Sequence, residues 1–106
     1  KIDYRGYAEI LRLAKERMPE TKIDLVIVPD AGMFSRQFQA AAEEHVKRLE
    51  REVSVHGIRT IALRKAFEGA SNPLASYAIP EDALYGHFTT EGYRRVSDYL
   101  SRALAQ

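Results

Sequence analysis

Two short apolar runs set the tightest limit on how this chain can fold. Ile23-Asp24-Leu25-Val26-Ile27-Val28 and Ile58-Arg59-Thr60-Ile61-Ala62-Leu63 are both rich in β-branched residues. Pro29-Asp30 closes the first and Gly57 opens the second. Runs this short and this nearly continuous suit strands covered on both faces of a parallel sheet. Between them Phe34, Phe38, Ala42, Leu49 and Val53 recur at helical spacing, which predicts a helix from about residue 34 to 54. A strand, a helix of about five turns and a second strand make a βαβ unit with a right-handed crossover.

The flanking segments extend that pattern. Tyr7, Ile10, Leu11, Ala14 and Met18 form the apolar stripe of a first helix, ended by Pro19. The middle helix carries Glu43 four residues before Lys47 and Glu44 four before Arg48, which predicts two i,i+4 ion pairs on a solvated face. Residues 64–86 hold Gly69, Pro73, Pro80 and Gly86 with no sustained period, and read as one long loop. Thr90-Glu91 then start a last helix, with Tyr93, Val96, Leu100, Ala103 and Leu104 expected toward the core. Two parallel strands do not complete an α/β sheet, which averages five or six. The first half of the domain is therefore expected to lie elsewhere, and Lys1, with no initiator methionine or signal-like leader, fits a processed or excised segment.

Composition removes several classes. The chain has 106 residues, 16 Lys+Arg against 15 Asp+Glu, 45% hydrophobic and 29% charged residues. That is an ordinary globular balance rather than a disordered one. A net charge of +1 lacks the footprint of a nucleic-acid binder. The longest apolar run is far below the ~20 residues of a membrane span. No cysteine is present, which removes disulfides, zinc fingers and a thiol nucleophile, and leaves the compartment open, an extracytoplasmic one included. His45, His56 and His87 are too scattered to suggest a metal site.

The segment from Asp82 to Val96 carries the most chemistry. It sets His87 at the end of the loop, directly before a helix start. A neutral imidazole there could take a proton from a hydroxyl, as a general base must. Asp82 or Glu81 on the same loop could accept its other ring N–H. A histidine before a helix also serves as a cap or a packing residue. Asp30 ends the first strand, where α/β folds bind ligands, and Tyr85 and Phe88 could line a substrate groove. A turn role for Asp30, and loop packing for the aromatics, account for the same residues. Ser71-Asn72-Pro73 is a turn signal first.

Gly86-His87-Phe88-Thr89-Thr90-Glu91-Gly92-Tyr93-Arg94-Arg95-Val96, followed by Tyr99-Leu100, resembles the last block of the SGNH (GDSL-like) hydrolases. The upstream order of helix, strand, helix, strand and loop agrees with it. The resemblance implies that residues 1–106 are the C-terminal portion of a three-layer, flavodoxin-like α/β domain. It implies a serine esterase, acyltransferase or O-acetyl-handling enzyme, acting on an ester or acylated carbohydrate without a cofactor, with His87 as general base.

This sequence departs from the family in two ways. The family's aspartate three residues before the histidine is Leu84 here, so the nearest acid is Asp82, five residues before. A Ser-His dyad oriented by a backbone carbonyl fits equally. The Gly-Asp-Ser nucleophile block and its oxyanion donors are absent, since none of the six serines lies in Gly-Asp-Ser or Gly-x-Ser-x-Gly. The serine must then come from the N-terminal half of the domain or from a companion chain. A reading from another class is a non-catalytic interaction or structural module that pairs through its sheet edge.

Overall fold

The computed structural model describes residues 3–29, 34, 36–73 and 87–106. Its order is α1 (Tyr4–Arg17), β1 (Asp24–Ile27), α2 (Gln39–Ser54), β2 (Arg59–Ala62), a 3-10 helix (Leu63–Phe67) and α3 (Thr90–Leu104). β1 and β2 pair in parallel, from Asp24↔Arg59 to Ile27↔Ala62. The expected βαβ unit is present, and the chain is a mixed helix-and-strand α/β fold. Among the described residues the sheet has these two strands alone.

Side-chain alternation divides the sheet into two environments. On one face Ile23, Leu25 and Ile58 meet Ala8 and Leu11 of α1 and Leu49 and Val53 of α2. Val53 is fully buried at the centre of that cluster. Ala8 has no side chain beyond Cβ, and so lets α1 lie close against α2. On the other face Asp24 and Arg59 stand side by side. Arg59 donates to both Asp24 carboxylate oxygens at 3.1 Å and, through Nη1, to the Ala103 carbonyl at 3.0 Å. One guanidinium thus joins β1, β2 and the last turn of α3, where the helix dipole favours a cation. That hydrogen bond, aided by the charge, holds the Asp24 carboxyl below its ordinary range against some desolvation.

Each helix is stopped by local chemistry. Asp3 caps α1 by accepting from the Gly6 N–H at 2.9 Å. The Lys15 ammonium donates to the Thr21 carbonyl beyond the helix end. Gly57 turns the chain out of α2 at a φ of 73°, in the left-handed region that suits glycine. Thr89 caps α3 by accepting from the Gly92 N–H at 3.2 Å.

Five expectations need correction. α2 begins at Gln39 rather than near residue 34, because Arg36–Phe38 form a turn ahead of it. The strongest helix formers, three consecutive alanines, come with Ala40–Ala42. The segment from residue 64 is not loop from its outset: Leu63 and Phe67 bury together on the 3-10 helix. Neither expected i,i+4 pair on α2 forms. Glu43 turns instead to Arg64 at 3.2 Å, and the Arg48 guanidinium lies 4.6 Å over the Tyr4 ring. The α1 stripe buries only in part, since Tyr7, Ile10 and Met18 are exposed while Ala8 is buried. Among the described residues α1 packs chiefly on α2, and its outer side carries these exposed residues. On α3 Tyr93 and Leu104 are exposed as well, because that helix packs mainly on the 3-10 helix rather than on a wide sheet.

Candidate functional site

The C-terminal ends of the two strands lead into one aromatic cluster. β2 runs directly into the 3-10 helix, and this delivers Phe67 to a buried position. Phe34, which follows β1, meets Phe67 edge to face at 5.4 Å. Phe88 stacks on the other side of Phe67 at 5.7 Å, and Tyr93 meets Phe88 edge to face at 5.4 Å. Such pairs contribute roughly 0.5–1.5 kcal/mol each beyond the area they bury. The cluster therefore ties the start of α3 to the ends of both strands, the side where open α/β sheets bind their ligands.

His87 sits on this anchored start. Its side chain is exposed, it precedes the Phe88 ring in the stack, and it lies two residues before the Thr89 cap. Packing on one side and capping on the other fix the backbone at Phe88 and Thr89, while the imidazole remains open to solvent. Among the described residues no side chain hydrogen-bonds it. Glu91, in the first turn of α3, is committed elsewhere. Arg94 grips its carboxylate at 2.9 and 2.6 Å, and Arg95 lies at 3.6 Å. The Arg94 hydrogen bonds hold the Glu91 carboxyl below its ordinary range, against a small opposing effect of desolvation.

Of the residues singled out from the sequence, the structure brings His87 and Phe88 together at the head of α3. Phe88 is half-buried and engaged on Phe67, so its visible contacts are packing contacts. Asp30, Asp82 and Tyr85 lie outside the described residues. Phe67 is the residue that loop assignment concealed. The i,i+4 spacing of Leu63 and Phe67 was the available signal, though one turn is too short to stand out as a period.

The other histidines do different work. The Tyr4 hydroxyl and His45 Nδ1 are hydrogen-bonded, their rings are 5.8 Å apart, and Arg48 covers the Tyr4 face. This clamps the start of α1 to the middle of α2. Among the described residues no three His, Asp or Glu side chains are gathered as metal ligands, and no helix is long and apolar enough to cross a membrane. No protein-family model matches this chain, and no curated protein or solved structure matches it either.

Proposed function

We propose that this chain supplies the catalytic histidine of an SGNH-type ester hydrolase or acyltransferase, as the C-terminal portion of a flavodoxin-like, three-layer α/β domain. The observation that carries the reading is the exposed His87 on a packed, capped helix start at the C-terminal side of two parallel strands. The nucleophilic serine comes from the other half of the domain or from a companion chain. The edge of β1 that faces away from β2 is where strands of that half would add. Exposed Ile10 and Met18 on α1 and Val28 beyond β1 are apolar surface that it would cover.

In this mechanism the serine Oγ attacks the ester carbonyl while His87 takes the hydroxyl proton. The tetrahedral intermediate expels the alcohol, which receives that proton from His87, and an acyl-serine remains. Water, or a second alcohol in an acyltransferase, then attacks the acyl-serine with His87 again as base. Asp82, or a backbone carbonyl, would hold the imidazole in the right tautomer. The substrate is an ester or an acylated carbohydrate.

The test is His87→Ala in the complete protein, assayed on p-nitrophenyl acetate. Turnover should fall by at least about a thousandfold, because members of a catalytic triad act as a unit. Val53→Ala, in the buried cluster between α1, α2 and the sheet, serves as a packing control and should lower stability while keeping most of the rate. Near-normal esterase activity in folded His87→Ala removes the assignment.

A further inference from the structure

A groove of about 290 Å³ runs along the side of β2 that faces away from β1. Thr60, Ile61 and Ala62 of β2 line it, with α2 side chains on one wall and Tyr99 and Ala103 of α3 on the other. An edge strand directs alternate N–H and C=O groups outward, and these need partners. Two side-chain atoms at the groove are also shielded from solvent and unbonded among the described residues: Thr60 Oγ1 and Arg64 Nε. Buried polar atoms left this way in a native protein call for an absent partner.

The charge on the walls says what kind. Lys47, Arg59, Arg64 and Lys65 line the groove against one acid, Glu50. Arg59 is occupied by Asp24 and by the end of α3, and Arg64 shares only Nη1 with Glu43. Lys47 holds a loose 3.8 Å contact with Glu44, and Lys65 has no ion pair among the described residues. An occupant therefore meets two available ammonium groups and a row of main-chain groups, with the Thr60 hydroxyl and the Arg64 Nε–H shielded behind them.

We infer that this groove takes an extended acidic peptide segment of a partner protein, added to β2 as a third strand. Main-chain hydrogen bonds to β2 supply the affinity, and carboxylates on the segment meet Lys47 and Lys65. The inference does not depend on ester chemistry, because it uses the opposite edge of the sheet from the one that the serine-bearing half would extend.

The experiment uses fluorescence anisotropy with a labelled peptide of alternating glutamate and threonine, against the purified protein. Three results are expected. The peptide binds at least about tenfold more tightly than its lysine counterpart, and about 0.5 M salt weakens it strongly. N-methylation of alternate residues, which deletes main-chain donors and keeps every charge, costs at least about tenfold. Lys47→Gln and Lys65→Gln together cost a similar factor, with far-UV circular dichroism unchanged. Equal binding of the N-methylated peptide overturns strand addition. So does equal binding of an oligouronate of the same charge, since the groove would then be a polyanion site. Both of those arms use the unaltered protein, so the idea stays testable even if the lysine variants fold poorly.

Discussion

At the scale of single residues, Arg59 and Asp24 determine more of this molecule than any motif. Asp24 is the one polar residue in its apolar run, and on a strand such a residue needs a partner. Arg59 supplies it from the paired register position and carries the link on to α3. The Asp24 carboxyl titrates below its unfolded value of about 3.9, so its contribution to stability is complete at neutral pH. That contribution is lost as pH falls through the folded value. Asp24→Asn should accordingly lower the urea midpoint at pH 7, and the gap from the unaltered protein should narrow as pH falls below the unfolded value. Urea titrations across that range check it. A gap that stays constant with pH would show that Asp24 acts by packing rather than by charge. Glu91 titrates in the same direction through Arg94, so part of the acid loss should persist in the Asp24→Asn variant.

At the scale of elements, the start of α3 is where structure and proposed chemistry meet. Thr89 satisfies the Gly92 N–H, and removing an N-cap hydroxyl costs about 1 kcal/mol. Thr89→Ala should therefore lower stability by that amount and also loosen the backbone beside His87. A base that is misplaced only part of the time lowers kcat more than KM, whereas a purely structural cap leaves kcat per folded molecule unchanged. Thr89→Ser, which keeps the hydroxyl, should restore the rate. The same elements show how much the sequence made legible. The two strands, their parallel order and the three helices follow from β-branched runs and helical spacing, because those signals extend over many residues. The 3-10 helix, the true start of α2 and the Glu43–Arg64 contact do not follow. Each depends on which segment packs against which, and a periodic pattern carries no information about that. The site was legible as a histidine before a helix. The stack of Phe34, Phe67 and Phe88 that anchors it was not, since its members come from three segments far apart in sequence.

At the scale of the whole molecule, the central fact is a parallel sheet that has two strands among the described residues, with apolar surface beside it. α1 packs on α2 and on the Ile23–Leu25 side of the sheet, and its outward side still carries Ile10, 66% exposed. On the opposite face, past the end of β1, Val28 is 63% exposed. The two residues leave apolar surface on both faces of the sheet, as they would if further strands and a helix continued the layers past β1. Aspartate at either position should weaken attachment of a complementary half. Burying a side chain of this size is worth roughly 1.5–3 kcal/mol, so each substitution should cost about tenfold to a hundredfold in association. If both halves belong to one polypeptide, the same substitutions should lower its melting temperature. Val55 is the control. It is 77% exposed but follows α2, before β2, and Val55→Asp should leave both quantities unchanged. Native mass spectrometry across a concentration series, together with thermal unfolding, reads both forms of the effect. If Ile10→Asp and Val28→Asp behave like Val55→Asp, β1 is a finished edge, and the proposed serine would have to reach His87 by some route other than continuation of this sheet.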